Sequence, residues 1–144
     1  MTCKEIYDLT MAMMDEMIDN TSLEQEPKAD YPSTRDYQAR TPGILTTLAT
    51  EVTRYLRSRG IDIDYQDDFH VMADDVDFDE GICRDILVYG LAARLLGQED
   101  ASMSSLFNNL YLSGLAKAVD SMDDKPKGKQ YSGNNIYGLL EAGD

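Results

Sequence analysis

Residues 82–119 read ICRDILVYGLAARLLGQEDASMSSLFNNLYLSGLAKAV, and the fold follows from how apolar positions recur within them. Ile82, Ile86, Tyr89, Ala93 and Leu96 fall at helical spacing, and after a short polar break so do Met103, Leu106, Phe107, Leu110, Gly114 and Ala118. The spacing predicts two helices. Gly97 stands where the first can end in a left-handed residue, and Asp100 stands where a carboxylate can accept the free amides that open the second. A link of residues 98–100 is so short that the pair must lie antiparallel as a hairpin. Only Arg84, Asp85 and Arg94 are charged in the first helix. Being apolar nearly all round, it needs burial on more than one side, and subunit assembly is one outlet for that surplus.

Upstream, Thr2 and Glu5 form a capping-box pattern that starts a helix at the N-terminus. Ile6, Leu9, Met13 and Met17 mark its apolar face, with Asp8, Asp15, Glu16 and Asp19 on another. Residues 21–32 carry Pro27 and Pro32 among acidic residues and are expected to be a surface loop. Ser33 or Thr34 can cap the next helix, whose face is Leu45, Leu48, Val52, Tyr55 and Leu56, with Pro42 expected as a kink inside it. Its end is well marked. Arg54, Arg57 and Arg59 set positive charge against the carbonyl end, and Gly60 follows as the cap.

Between Ile61 and Glu80 there are nine acidic residues and no Lys or Arg. Ile61, Ile63, Tyr65, Phe69, Val71, Val76 and Phe78 alternate with polar positions, which favours extended pieces able to pair as a short β-hairpin, pinned to the core by Phe69 and Phe78. Asp75, Asp77 and Asp79 have the opening spacing of an EF-hand loop, but Glu80 occupies the glycine position and Ile86 that of the bidentate glutamate. No metal site is expected. His70, the only histidine, lies near Asp67 and Asp68, yet no nucleophile accompanies it, since neither Cys3 nor Cys83 nor any serine sits in a recognisable elbow. The chain is not expected to be an enzyme or to carry a cofactor.

Beyond Met122, the run from Asp123 to Lys129 is polar and interrupted by Pro126. Tyr131, Ile136, Tyr137, Leu139 and Leu140 then form an apolar arm too small for a core of its own, expected to bind a partner. Lys125, Lys127 and Lys129, with Arg54 and Arg57, are candidates for electrostatic contacts between subunits. The resulting fold class is mainly α. It is a small bundle of about four helices with a long acidic loop between helices two and three, residues 1–122 forming the helical domain and 123–144 the linker and C-terminal arm.

Three further features of this sequence coincide: the helix containing ARTPGILTTLATEV, the acidic linker, and the run VYGLAARLLGQEDASMSSLFNNLY. Together they resemble the head-tail adaptor (connector) proteins of tailed bacteriophages, over roughly Asp36 to Val119. The resemblance rests on the Tyr-Gly-Leu-Ala-Ala turn, the Gln-Glu-Asp break and the Leu-Phe-Asn-Asn that follows. It implies a structural virion subunit that forms a ring, usually dodecameric. Such a ring docks on the portal protein, helps retain packaged DNA and offers the attachment site for tail or neck proteins. It also implies that the C-terminal arm reaches the portal or a neighbouring subunit.

A net charge of −14 excludes an electropositive grip on DNA or anionic lipid, while leaving a duplex free to pass through an acidic ring. No secretory signal or membrane span is evident, so the expected setting is the host-cell cytoplasm for synthesis and the virion thereafter. Two other classes compete. One is an acidic helical interaction or regulatory module that forms no ring; the other is a small hydrolase using His70, which the missing nucleophile disfavours.

Overall fold

A computed structural model of the chain describes residues 1–21, 34–97 and 99–123. The helices are α1 (Cys3–Thr21), α2 (Thr34–Ser58), α3 (Glu80–Ile82), α4 (Val88–Leu96) and α5 (Ala101–Asp123), and a π-helical turn, Cys83–Leu87, joins α3 to α4 without a break. The architecture is therefore a bundle of four helical rods. Among the described residues there is no strand, only one isolated antiparallel bridge between Thr2 and Asp75.

Helix α1 starts on the expected reciprocal cap, with the Thr2 amide donating to Glu5 Oε1 at 2.8 Å and the Glu5 amide to Thr2 Oγ1 at 3.1 Å. Its inner face is turned from the expected one. Cys3, Ile6, Tyr7, Thr10 and Met14 are buried, whereas Leu9 and Met13 are only partly covered. Thr10 can take a core position because its hydroxyl donates to the Ile6 carbonyl at 2.7 Å, leaving no polar group unpaired. The side chain of Met17 and residues 22–33 lie outside the described residues.

Helix α2 runs through Pro42 as the longer helix expected, burying Tyr37, Thr41, Leu45, Leu48, Ala49, Val52 and Leu56; Tyr55 is half-exposed. Gly60, at φ +88°, closes it. The Ile61 amide donates to Leu56 and the Gly60 amide to Arg57, which caps the last carbonyls and turns the chain out of the helix.

The acidic segment does not fold into a hairpin. Its backbone is claimed instead by the N-terminus: the Cys3 amide donates to Asp74 at 2.9 Å, the Lys4 amide to Met72 at 2.9 Å, and the Val76 amide to Met1 at 2.8 Å. Phe69, Val76 and Phe78 point inward and are buried. Alternation therefore picked out three inward residues, but Ile61 and Ile63 are only partly covered and Tyr65 and Val71 face outward, and the pairing partner is α1's first turn.

The rod of α3, π turn and α4 sits at the centre. Asp79 caps it, accepting the Ile82 amide at 2.9 Å. Cys83, Ile86 and Leu87 are buried in the π turn, and Val88, Gly90, Leu91, Ala92, Ala93, Leu95 and Leu96 in α4. Helices α1, α2 and α5 of the same chain supply that burial, α5 most extensively as the antiparallel partner. The all-round apolar rod thus finds its cover without a second subunit. Gly97 is right-handed, at φ −47°, rather than left-handed. The Leu96 carbonyl accepts both Glu99 and Asp100 amides, so a tight turn ends the helix with no need for positive φ. Asp100 caps α5 as expected, accepting the Met103 amide at 3.1 Å. The buried ridge of α5 is Met103, Phe107, Tyr111 and Leu115; Leu106 is 38% exposed, and Leu110, Gly114 and Ala118 lie on its flank.

Two glycines set how closely the rods approach. A Cβ on Gly90 would come within 2.8 Å of Leu48 Cδ2 and 2.9 Å of Tyr111 Cδ1, while one on Gly114 would come within 2.7 Å of the Asp85 carbonyl oxygen. Side-chain ends can rotate away, but a backbone carbonyl cannot. Gly43 in α2 has nothing within 4 Å of such a position. Urea unfolding of three variants should therefore diverge. Gly43→Ala should stabilise by about 0.5–1 kcal/mol through helix propensity, and Gly114→Ala should destabilise by a net of about 1–2 kcal/mol from overpacking. Gly90→Ala should fall between them. A stabilising Gly114→Ala would mean that α5 does not pack this tightly on the π turn.

Candidate functional site

A groove of about 480 Å³ lies between the π turn and the second half of α5. Its apolar lining is Ile82, Ile86, Tyr89, Leu110, Ala118 and Met122, with Asp79, Asp85 and Lys117 among its polar groups. Gly114 makes the floor, because the absence of a side chain there lets the two helices meet. Along α5, residues 106, 110, 114, 118 and 122 recur every fourth position, which keeps Leu106, Leu110, Gly114, Ala118 and Met122 on neighbouring strips of the helix. That periodicity was the available signal for the groove. It was absorbed into the expected core instead, since spacing alone does not tell a ridge from the flank beside it.

A second cluster ties three helices together. Arg94 Nη2 donates to Glu51 Oε1 at 2.7 Å, and the Tyr111 hydroxyl donates to the same oxygen at 3.0 Å. The Arg94 guanidinium also lies 6.0 Å from the centre of the Tyr111 ring. Burial, followed by the adjacent Glu51 charge and the hydrogen bond to it, pushes the Tyr111 hydroxyl well above its usual pKa. Nearby, the Tyr37 hydroxyl donates to Glu99 at 2.6 Å and Arg40 to the Arg94 carbonyl at 3.3 Å. No local motif marks this cluster, because its members are 43 and 60 residues apart in sequence. Its role is to fasten α2 to the α4–α5 hairpin.

The acidic segment forms a shallow, carboxylate-lined surface that includes Asp64, Asp67, Asp68, Asp75 and Asp77. Side chains hold its shape. Thr46 Oγ1 accepts the Phe69 amide at 2.8 Å, Gln66 Oε1 accepts the Asp77 amide at 2.8 Å, and Asp74 Oδ2 accepts the His70 and Val71 amides at 2.7 and 3.1 Å. Those two amides hold the Asp74 carboxyl below its ordinary pKa. Its contribution to the turn is therefore present at neutral pH and is lost as pH falls through the lowered value. Tyr65 and Val71 are 52% and 55% exposed on the outside.

No family model matches this chain, and no curated protein or solved structure does either.

Arg54 is exposed, but Arg57 is engaged within its own subunit, donating to the Ile63 carbonyl at 2.8 Å and lying 5.4 Å over the Tyr65 ring. Arg59 similarly covers Tyr55, at 5.1 Å. Lys125, Lys127, Lys129, Tyr131, Ile136, Tyr137, Leu139 and Leu140 lie outside the described residues. His70 is exposed on the acidic segment. Cys3 and Cys83 are buried free thiols; desolvation, then the Asp74 charge, pushes Cys3 up to about 11, away from nucleophilic use at neutral pH. Among the described residues no three His, Cys, Asp or Glu side chains are grouped to hold a metal ion, and no helix is long and apolar enough to cross a membrane.

Tyr111 provides a test of the three-helix junction. In the unfolded chain it ionises near pH 10, whereas in the fold it keeps its proton to higher pH. Its stabilisation is therefore complete below the unfolded value and is lost as pH rises through the folded one. Tyr111→Phe should cost about 1–2 kcal/mol at neutral pH, and the gap from the parent protein should narrow as pH rises beyond about 10. Thermal melting across alkaline pH reads both quantities, and parallel curves would show that the Glu51 contact does not govern that proton.

Proposed function

We propose that this chain is a structural subunit of a bacteriophage head-tail connector, docking as a ring on the portal, helping to retain packaged DNA and presenting an attachment surface to the tail. The observation that carries this reading is the sequence resemblance over Asp36 to Val119. Its matching segments supply the central rod and hairpin: Tyr89–Ala93 lies inside α4, and Leu106–Asn109 lies on α5. Surplus core surface is not part of the support, because the bundle covers its own central rod. What the bundle leaves outside is more pertinent. A groove flanks α5, Leu112 is 52% exposed, and an outward-facing carboxylate surface would line or border a channel without holding DNA.

On this reading the arm containing Tyr131, Ile136, Tyr137, Leu139 and Leu140 reaches the portal or the neighbouring subunit, and the bundle is the rigid body it tethers. Lys125, Lys127 and Lys129 steer that contact more than they strengthen it. An acidic interaction module without a ring is the alternative.

Native mass spectrometry of the full chain, alone and mixed with the portal of the same virus, separates the two. The connector reading expects portal-bound copies in ring stoichiometry, whatever the state of the free protein. Deleting residues 131–144 should abolish that docking while leaving helicity and melting unchanged. If the portal recruits no subunits, or recruits them equally well without the arm, the reading or its arm assignment respectively is wrong.

A further inference from the structure

We propose that the groove between the π turn and α5 is the seat of this chain's own C-terminal segment in the free subunit. The proposal does not depend on the connector reading, since it concerns an isolated molecule.

Three observations select that occupant. The first is where the described chain stops. Helix α5 ends at Asp123, and Ala118 and Met122 of its last turns line the groove, so the remaining residues leave from its rim. The second is reach. The groove runs along α5 from Leu110 to Met122, about 18 Å at the helical rise. Residues 124–135 can span up to about 40 Å when extended, more than enough to turn back and lay Ile136 over the groove. A tether of this length holds the segment at an effective concentration on the order of millimolar, so a contact too weak to form between separate molecules is filled within one.

The third is chemistry. Ile136, Leu139 and Leu140 are spaced i, i+3, i+4, which gives one apolar face to a helical turn, matching the strip of Tyr89, Leu110, Ala118 and Met122. In sequence Lys125, Lys127 and Lys129 follow α5 and Glu141 follows Leu140, while the groove's lining offers Asp79 and Asp85 to the lysines and Lys117 to the carboxylate. Both signs are complementary. A second copy of the chain offers the same segment, but without the tether's advantage. Any partner that binds the arm must first draw it from the groove, so occupation by the arm would hold the free subunit back from premature assembly.

The test reads the groove directly. In the full chain labelled on its methionine methyls, the Met122 signal, assigned through Met122→Leu, reports the groove and the buried Met14 signal reports the core. Ile136→Asp with Leu140→Asp should move the Met122 methyl towards its solvent-exposed position and leave Met14 and the melting curve unchanged. Adding the peptide of residues 131–144 to that variant should restore the shift saturably. An unmoved Met122 signal would overturn the proposal, and so would a parental shift that disappears on dilution, which would assign the groove to the arm of another copy.

Discussion

Everything in this bundle answers to one constraint: the rod of α3, π turn and α4 is apolar on nearly every side and must be surrounded. Leu87, Leu91, Ala92 and Leu95 are all buried, and the rod meets water mainly at Glu80, Gly81, Arg84 and Asp85 near its start. Three helices have to approach it, and they can approach closely only where side chains are missing. Gly90 admits Leu48 and Tyr111, and Gly114 admits the backbone at Asp85. The π turn is part of the same solution. Cys83, Ile86 and Leu87 all face inward there, and the turn carries the rod from α3 into α4 without exposing them. Fastening falls to the polar junction of Glu51, Arg94 and Tyr111, half-shielded from solvent, where two donors meet one carboxylate oxygen.

A chain with net charge −14 must also keep its carboxylates from prising it apart. It does so by placing them at the outer positions of an extended segment and satisfying that segment's backbone from elsewhere. Phe69, Val76 and Phe78 anchor it inward, the first turn of α1 takes up its amides and carbonyls, and Asp74 turns one charge into a structural acceptor. A β-hairpin would have stacked acidic residues across from one another at short range. Pairing against the nearly neutral N-terminal edge avoids that repulsion.

Local chemistry was legible in the sequence wherever a single residue type decides a local outcome. The Thr2–Glu5 cap, the glycine stop at Gly60, the Asp100 cap and the antiparallel hairpin it opens all follow from neighbours within a few positions. The anchoring of Phe69 and Phe78 was legible from alternation. What could not be read depends on partners distant in sequence: the π turn, the right-handed Gly97, the choice between ridge and flank on α5, and the Glu51 junction. Leu106 and Leu110 illustrate the difficulty. They satisfy helical periodicity as well as Phe107 and Tyr111 do, and only the direction from which α4 approaches separates them. An outlet for the rod's apolar surface was expected in assembly, and it was found in α1 and α2, because an all-round apolar helix needs several neighbours and spacing does not say whose they are.

Self-sufficiency of the core bears on how this molecule could assemble. Subunits that share a core must fold together, and their interfaces bury the surface that would otherwise unfold them. Here the described helices close the core within one chain, so any contact with another chain must be made by features lying outside it. The helix α5 is arranged for that division. Met103, Phe107, Tyr111 and Leu115 hold it to the bundle, while Leu110, Ala118 and Met122 on the adjoining flank face a groove whose loss or occupation leaves that ridge in place. Docking can therefore be gained or given up at little expense to the fold.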